Sequence, residues 1–338
     1  MSVYSVSGSQ LASVYDVNGA SLSTAYDIGG TAVFGGGGHD YPIENVQSYF
    51  RTETISVAEA INGLSDDWQT FVFITDPHGN GNKQHSQAIG LYLLANTSAS
   101  MIVLGGDYSV SSWDKAQYDT YMTPFLNSGM TGSIYALFGN HETYGGGTAV
   151  AKQSIYNDFL RDKTNISGQP TENYYYFDNV TKKTRYMFIN TSDGGETTVS
   201  SSQLSWISRN VVLPASDWSL VVLGHVNLAQ MAGVTYMNES NGSAVISAIN
   251  NCNGTIVGYI CGHQHIDYCE KIGAFQHTTI ICDKFENSNY YAGISVTDRV
   301  SGTDSEQAVS TISINTTSKQ VVIRRIGAGR NRTLSYTY

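Results

Sequence analysis

The chain has 338 residues, enough to bury a large core in one domain or in two smaller ones. Its net charge of −10 and its charged fraction of only 14% argue against a duplex nucleic acid as partner, because phosphate binding needs clustered Lys and Arg. The sequence opens without a basic, then apolar, export signal, and no apolar run approaches the roughly 18 residues that span a bilayer. We therefore expect a soluble protein.

An eleven-residue repeat fills the first 35 residues. Tyr4–Leu11 returns as Tyr15–Leu22 and again as Tyr26–Val33. So short a unit cannot bury its apolar face alone, so we expect the repeats to stack or to dock on another chain, as in a homo-oligomer. Four glycines, residues 35–38, form a flexible joint. The predicted domains are a leader with its joint at 1–38 and a main domain at 39–338.

From residue 54 onward the pattern predicts alternating helices and strands, with no second domain boundary. The predicted helices cover residues 57–64, 84–96, 113–127 and about 155–160, the last ending near 168–170, with one more capped by Ser201 or Ser202. Strands 174–177 and 186–189 are expected to pair. After residue 276 the pattern is all strand, at 277–281, 290–296, 309–314 and 320–326.

Five further apolar runs, each typical of a buried strand, end on residues that can bind a metal ion. They are FVFIT before Asp76 and His78, MIVLGG before Asp107, IYALFG before Asn140 and His141, LVVLG before His225, and IVGYICG before His263 and His265. Each motif alone is more often a turn, a helix cap or a loop histidine. Five in one order favour a shared site, since open α/β sheets place their chemistry at the carboxyl ends of strands.

Two pairs in this set are spaced for chelation. Asp76 and His78 are two residues apart, as are His263 and His265, so in extended segments each pair would project to one side. Asp107 adds a carboxylate that can bridge two ions roughly 3.5–4 Å apart. The sequence therefore predicts two divalent metal ions.

The type of metal follows from the donors. Asn140 offers an amide oxygen and His225 an imidazole, and no thiolate belongs to the set. Mixed nitrogen and oxygen ligands suit Mn, Fe, Zn, Ni or Co better than Ca or Mg.

The order D-x-H, G-D, G-N-H-E, G-H and G-H-x-H resembles the calcineurin-like metallophosphoesterase superfamily over residues 70–285. The resemblance implies an α/β (α+β) fold of two mixed β-sheets packed as a sandwich with flanking helices, here preceded by the β-repeat leader. It implies that one ion is bound by Asp76, His78, Asp107 and His265. It implies that the other is bound by Asp107, Asn140, His225 and His263.

The activity expected on this basis is metal-dependent hydrolysis of a phosphoester, with a hydroxide bridging the two ions as nucleophile. Asp107 and His141 are the predicted catalytic residues, His141 as general acid or electrostatic stabiliser. Protein Ser/Thr phosphatases of this superfamily continue the second motif as G-D-x-x-D-R, whereas this chain has Val110 and Ser111 there. A phosphodiester or small phosphomonoester is therefore the favoured substrate, either as a small molecule or as a polymer.

Two alternatives remain open. The repeats resemble leaders on bacterial and phage-encoded surface proteins, so the chain could be a non-catalytic particle component that retains the fold. Its setting would then be a cell surface or phage particle instead of the cytoplasm. A nuclease of the same superfamily would need a basic stripe, but Lys83, Lys115 and Lys152 are thinly spread.

Residues near the motifs supply further candidates. Tyr108, Tyr144 and His85 are candidates to line the pocket, although Tyr is common in this chain, with 23 residues. Glu142 and Asp267 could orient a histidine, but surface or capping roles are the favoured interpretation for both. The stretch from Asn190 to Ile207 resembles a strand-then-helix segment of the superfamily and is expected to be structural.

Overall fold

The computed structural model describes residues 41–79, 85–110, 112–229, 240–265, 267–272, 275–280, 300 and 302–336, together with four short strands of the leader. In the leader, β1 (Val14–Tyr15) pairs antiparallel with β2 (Ser21–Leu22), and β3 (Ala25–Tyr26) with β4 (Ala32–Phe34). Each pair begins beside the first residue of an eleven-residue unit, Tyr15 or Tyr26, and its second strand lies within or at the end of the aligned segment of that unit. Oligomerisation through the leader and the boundary at residue 38 stay predictions.

Helices and strands alternate from residue 48. The α-helices of the described residues are α1 (Ser48–Asn62), α2 (Ser86–Asn96), α3 (Lys115–Leu126), α4 (Thr148–Ile155), α5 (Ser201–Asn210) and α6 (Gly242–Ile249). The first strands are β5 (Trp68–Ile74), β6 (Ala99–Leu104), β7 (Ile134–Ala136), β8 (Ser167–Gln169), β9 (Tyr174–Asn179), β10 (Thr184–Phe188) and β11 (Ser219–Leu223). They are followed by β12 (Thr255–Cys261), β13 (Tyr268–Ile272), β14 (Phe275–Ile280), β15 (Ala308–Asn315), β16 (Gln320–Gly327) and β17 (Arg332–Ser335). Within the described residues, none of the helices combines the length and the apolar character needed to cross a bilayer.

Two mixed sheets carry the fold. One has the order β17-β16-β15-β5-β6-β7, and the other β13-β14-β12-β11-β10-β9-β8. In the six-stranded sheet β5, β6 and β7 are parallel, and in the seven-stranded sheet β10, β11, β12 and β14 are parallel. The remaining pairings in these two sheets are antiparallel. The predicted sandwich of two mixed sheets is therefore confirmed.

The sheets face each other across an aromatic core. Phe188 of β10 stacks on Tyr135 of β7 at 5.5 Å and on Tyr175 of β9 at 4.6 Å between ring centroids. Phe71 of β5 meets the ring edge of Tyr186 of β10 at 5.9 Å. Large rings in these geometries contribute both buried area and specific orientation, which fixes one sheet relative to the other.

Helices cover the outer faces. α1 and α2 pack on the six-stranded sheet, while α5 and α6 pack against each other on the seven-stranded one. Trp206 and Ile207 of α5 and Val245 of α6 join Leu220 and Val222 of β11 in a second buried cluster. The layers are thus helix, sheet, sheet, helix, the arrangement that buries both faces of each sheet.

The helix predictions hold in type but not always in extent. α1 begins at Ser48, nine residues before the predicted start, and its buried face includes Phe50 and Thr54, where the polar Thr54 hid the helical spacing. α4 begins at Thr148 and passes into a π-helical turn at Tyr156–Leu160, so the predicted end near 168–170 is wrong. Ser200, one residue before the predicted caps, accepts from the Gln203 N–H and caps α5.

The predicted strands are found wherever the structure describes them. The five apolar runs before the metal-binding motifs form β5, β6, β7, β11 and β12, and almost all of their residues are buried. Residues 290–296, also predicted as a strand, lie outside the described residues. Four further elements, which are short or polar, were not predicted from the sequence: α6, β8, β13 and β17.

Candidate metal centre

The chemistry-bearing residues gather where parallel strands of both sheets end. Asp76 lies two positions after the end of β5, and Asp107 lies in the loop that follows β6. Asn140 and His141 follow β7, while His225 and His263 each come two positions after the ends of β11 and β12. Because the carboxyl ends of parallel strands meet at one edge, the two sheets together place all these residues in one cluster.

One group of donor atoms is built around two imidazoles. Nε2 of His78 lies 2.8 Å from Nε2 of His265. Oδ1 of Asp76 lies 3.2 Å from the same His265 nitrogen and 3.9 Å from Nε2 of His78. Three donors this close, and all buried or half-buried, form a group that could hold a metal ion.

A second group lies beside the first. Oδ1 of Asn140 is 2.8 Å from Nδ1 of His263 and 3.1 Å from Nε2 of His225. The Asp107 Oδ2 atom is 3.1 Å from His225 Nε2 and 4.0 Å from Nε2 of His78 in the first group. The Asp107 carboxylate therefore faces both groups at once.

Backbone carbonyls set the tautomers of two histidines. Nδ1 of His225 lies 2.8 Å from the Gly105 carbonyl, and Nδ1 of His78 lies 3.1 Å from that of Ser109. A carbonyl oxygen can only accept, so each Nδ1 carries the hydrogen and donates it. In the neutral ring, Nε2 then presents its lone pair to the cluster, which is the arrangement typical of metal-binding histidines.

Backbone N–H groups hold both carboxylates. The His263 N–H donates to both Asp76 oxygens at 2.9 and 3.0 Å, and Thr75 Oγ1 donates to Oδ2 at 2.6 Å. The His141 N–H donates to Oδ1 of Asp107 at 2.9 Å. With the carboxylates held in this way, Oδ1 of Asp76 lies 3.2 Å from Nε2 of His265, and Oδ2 of Asp107 lies 3.1 Å from Nε2 of His225.

Glu142 was expected to be a surface or capping residue, but it is fully buried. Its carboxylate accepts hydrogen bonds from the N–H groups of Asp107, Tyr108 and Gly139 at 2.9, 2.8 and 2.8 Å. Burial, and then the negative charge of Asp107, raise the pKa of Glu142 to about 7. Glu142 thus fixes the backbone of the two loops that carry Asp107 and Asn140, and does not orient a histidine.

The local backbone also differs from expectation. Asp76 and His78 have φ of 54° and 46°, and His263 and His265 have 71° and 54°, so neither pair lies in an extended segment. Asp107 at 58° joins them. These left-handed conformations cost free energy for non-glycine residues and cluster at functional sites. The side chains converge through these turns. The prediction that each pair projects to one side of an extended segment is therefore wrong.

Two glycines make room for the carboxylates. A Cβ on Gly139 would collide with Oδ1 and the backbone nitrogen of Asp107, and one on Gly262 would collide with Oδ2 of Asp76. The Gly in G-N-H and the Gly before His263 are therefore required by close approach of the backbone to a donor group.

The electrostatics favour a positive charge in the cluster. Burial works to raise the pKa of Asp76, but the neighbouring imidazoles outweigh it and lower that pKa to about 2. Burial also opposes charge on His225, yet Asp107 and Asp76 raise its pKa to about 10. Burial lowers the pKa of His78 to about 3 and of His263 to about 4. The ionised carboxylates and the neutral rings of His78 and His263 are thus in the state in which metal ligands bind, and the negative charge that favours a proton on His225 would equally favour a metal cation.

His141 lies at the rim of the cluster. Its Nε2 is 3.8 Å from Oδ2 of Asp107, and its ring packs edge-on against His78 with centroids 4.7 Å apart. Its Nδ1 atom is buried and has no hydrogen-bond partner among the described residues. A ring held at the edge with a free nitrogen can serve a bound ligand.

Of the three candidates for the pocket lining, only one contacts the cluster in the described part of the chain. Tyr108 is fully buried, and the single hydrogen of its hydroxyl is shared between the carbonyls of Leu104 at 3.1 Å and Leu137 at 2.8 Å, so it belongs to the core. His85 precedes α2, and its Nε2 atom lies 3.7 Å from Oε1 of Glu306. Tyr144 accepts a hydrogen bond from Nδ2 of Asn140 at 3.0 Å.

Three supporting residues were missed or misjudged. Thr191, in the stretch expected to be structural, accepts from the Val226 N–H at 3.0 Å and so holds the residue after His225. Glu196 accepts from the Tyr144 hydroxyl. Asp267 was expected at the surface, but its side chain is 11% exposed and pairs with Arg325 and Arg332. No local sequence pattern marks these long-range contacts.

A known family shares this fold and these motifs. The family model of calcineurin-like phosphoesterases matches residues 69–267. The chain belongs to the calcineurin-like phosphoesterase family. The match spans every residue of the cluster described above, from Asp76 to His265.

Three solved structures align with most of the chain. A dimetal phosphatase from Danio rerio aligns with a TM-score of 0.57 and 14% identity, over 80% of this chain and 99% of that one. Vacuolar protein sorting 29 from Cryptosporidium parvum aligns with a TM-score of 0.36 and 10% identity, over 79% and 95%. Vps29 from Entamoeba histolytica gives 0.35 and 10%, over 80% and 100%. No curated protein matches the sequence. At 14% identity the Danio rerio structure shows the fold alone, so the proposed chemistry rests on the residues of this chain.

Proposed function

We propose that this calcineurin-like phosphoesterase hydrolyses a phosphoester with two divalent metal ions. The observation that carries the proposal is the position of Asp107, whose Oδ2 lies 3.1 Å from Nε2 of His225 and 4.0 Å from Nε2 of His78. A carboxylate shared by two donor groups is how a pair of ions is held at bridging distance. The ligands of one ion would be Asp76, His78, Asp107 and His265, and those of the other Asp107, Asn140, His225 and His263.

The donor chemistry fits such ions. The group contains imidazole nitrogens, carboxylate oxygens and one amide oxygen, which suits Mn, Fe, Zn or Ni. The Nδ1 hydrogens that His78 and His225 donate to backbone carbonyls hold both rings with Nε2 toward the cluster. Two Nε2 atoms 2.8 Å apart, those of His78 and His265, are well placed to share one cation.

The two ions and His141 have different roles in the proposed reaction. When bound, two divalent ions supply a hydroxide nucleophile near neutral pH and offset charge on the phosphoryl oxygens. The His141 N–H holds Asp107 in place through a 2.9 Å bond. The His141 ring, at the rim beside Asp107, stabilises the developing charge and donates a proton to the leaving oxygen.

The substrate class follows from what surrounds the second motif. Val110, which is 42% exposed, stands where phosphoprotein phosphatases of this superfamily have an acidic residue, and Ser111 stands where they have Arg. Phosphoprotein recognition through that pair is therefore absent. A phosphodiester or a small phosphomonoester is the class that we propose.

The alternatives are less well supported. A non-catalytic particle component would be expected to have lost a ligand, and each of the seven predicted ligand positions holds a residue that can bind metal. A nuclease would need free cations beside the site, but Lys115 pairs with Asp119 and Lys152 with Glu172.

The test is hydrolysis of bis(p-nitrophenyl) phosphate and of p-nitrophenyl phosphate by the full chain, with Mn²⁺, Ni²⁺ or Zn²⁺ added and with EDTA as control. We expect metal-dependent turnover of at least one substrate, abolished by EDTA. Turnover of the diester alone would assign a phosphodiesterase, and turnover of the monoester alone a phosphatase. Absence of turnover with every metal on both substrates would contradict the proposal.

A further inference from the structure

A chain of hydrogen bonds leads from Asn140 away from the cluster. Nδ2 of Asn140 donates to the Tyr144 hydroxyl oxygen at 3.0 Å. The Tyr144 hydroxyl donates in turn to Oε1 of Glu196. Asn140 follows β7 of the six-stranded sheet, whereas Glu196 follows β10 of the other. The chain of bonds therefore ties together loops from both sheets.

The direction of these bonds decides how the amide of Asn140 is turned. A side-chain amide can rotate by half a turn and exchange its oxygen, an acceptor, with its nitrogen, a donor. In the observed orientation Oδ1 faces Nδ1 of His263 at 2.8 Å and Nε2 of His225 at 3.1 Å. The reverse orientation would direct an NH₂ group at the cluster, and such a group offers a cation no lone pair.

Glu196 determines which role the Tyr144 hydroxyl can play. A phenol has one hydrogen to donate, and an ionised carboxylate can only accept. Once Tyr144 donates to Glu196, its oxygen can only accept from Asn140. Only the amide orientation that directs Oδ1 toward the histidines satisfies this requirement.

Tyr144 and Glu196 are each held in place by further contacts. The Tyr144 ring packs edge-on against His141 with centroids 5.2 Å apart. The loop that carries Glu196 is closed by two bonds, from Ser192 Oγ to the Glu196 carbonyl at 2.7 Å and from the Gly194 N–H to the Thr198 carbonyl at 2.8 Å. The acceptor is therefore fixed before any ion arrives.

We propose that Tyr144 and Glu196 are positioning residues that hold Oδ1 of Asn140 toward the ion bound with Asp107, His225 and His263. This inference rests on the two-metal function proposed above. Neither residue needs to touch substrate or metal. Loss of the Tyr144 hydroxyl should weaken binding of this second ion and leave the first unaffected.

The test is the Mn²⁺ binding isotherm of the full-length wild type and of Tyr144→Phe, with free Mn²⁺ measured by its EPR signal. The variant keeps the ring beside His141 and loses only the hydroxyl. We expect two sites in the wild type, and in the variant one unchanged site and one weakened about 10–100-fold. Turnover of the variant should recover as Mn²⁺ is raised, with kcat restored at saturation.

A matched control comes from a second Tyr–Glu pair. The Tyr49 hydroxyl donates to Oε2 of Glu306 at 2.8 Å, away from Asn140, so Tyr49→Phe should bind both ions as the wild type does. Glu196→Ala should weaken the same site, and adding it to Tyr144→Phe should cause little further loss, because the two act as one unit.

The outcomes separate the two proposals. Two sites of wild-type affinity in Tyr144→Phe would overturn this inference and leave the proposed function standing. Fewer than two sites in the wild type would overturn both. An equal loss in Tyr49→Phe would also overturn the inference, because the effect would then not depend on contact with Asn140.

Discussion

At the scale of single residues, His141 stands apart from the other histidines of the cluster. All five place a ring nitrogen within 4.0 Å of a carboxylate or amide oxygen, and His141 does so at Oδ2 of Asp107. His141 differs in lying at the rim with a buried Nδ1 atom that has no hydrogen-bond partner among the described residues. This arrangement fits the proposed role of His141, which is to meet the substrate while the other four bind the proposed ions.

His141→Ala is therefore expected to retain both ions while turnover falls by roughly 10²–10⁴-fold, the range for lost acid or electrostatic help. Metal content by elemental analysis and kcat on the better nitrophenyl substrate would measure the two effects. His85→Ala, which removes a histidine paired with Glu306, is the control and should keep full activity. Loss of an ion from His141→Ala would show that the residue is a ligand instead.

A substitution at Gly139 tests the position of Asp107 without removing any metal-binding atom. In Gly139→Ala the new methyl group would occupy space taken by Oδ1 and the backbone nitrogen of Asp107. We expect the shared carboxylate to be displaced and at least one ion to be lost, as measured by equilibrium dialysis. Gly132→Ala is the matched control, because nothing lies within 4 Å of the added carbon. Unchanged metal content in Gly139→Ala would mean that Asp107 has freedom to move.

At the scale of elements, the C-terminal strands hold Asp267, two residues after His265. The Asp267 carboxylate accepts from Arg325 of β16, from Nη1 of Arg332 of β17 at 2.6 Å, and from the Arg330 N–H at 2.8 Å. Burial works to raise the pKa of Asp267, but Arg325 and Arg332 outweigh it and lower that pKa. The last strands of the six-stranded sheet thus hold Asp267, which lies two residues after His265 and directly before β13.

Asp267→Ala removes the carboxylate that faces the buried Arg325 and should lower the free energy of unfolding by about 3–5 kcal/mol. Urea denaturation followed by circular dichroism would measure the change. Asp217→Ala breaks an exposed pair with Lys183 and should leave the free energy of unfolding nearly unchanged. Equal effects of the two substitutions would contradict a structural role for the Asp267 cluster.

At the scale of the whole molecule, the sequence predicts the shared edge because buried strands have a strong local signal. Runs such as FVFIT and LVVLG form β5 and β11, and the parallel pairing of β5 with β6 and of β11 with β10 and β12 brings the strand ends together. Pattern alone could not predict α6, whose eight residues are too few for a clear period, or β17, which is short and half-exposed.

The details of the cluster lie beyond local pattern for a different reason. The left-handed turns at Asp76 and Asp107 accompany hydrogen bonds from residues distant in sequence, namely from the His263 N–H to Asp76 and from the His141 N–H to Asp107. Tyr144 and Glu196 are 52 positions apart, so no spacing links them to Asn140. From the sequence Glu142 was predicted to be a surface or capping residue, and only the fold shows that it is buried.

The leader provides a prediction about the entire chain. The candidate ligands run from Asp76 to His265, so deleting residues 1–35 should spare hydrolysis of a small substrate. If the repeats dock on one another between chains, the deletion should reduce the mass in solution, as measured by light scattering. An unchanged mass would contradict the proposed role of the repeats.

The central claim is that Asp107 is shared by two ions. The most direct measurement is the number of ions bound per chain, by elemental analysis after dialysis against Mn²⁺, in the wild type and in Asp107→Asn. Asp119→Asn, at an exposed pair with Lys115, is the control. We predict two ions and turnover in the wild type and the control, and at most one ion without turnover in Asp107→Asn. Two ions and wild-type turnover in Asp107→Asn would contradict the account.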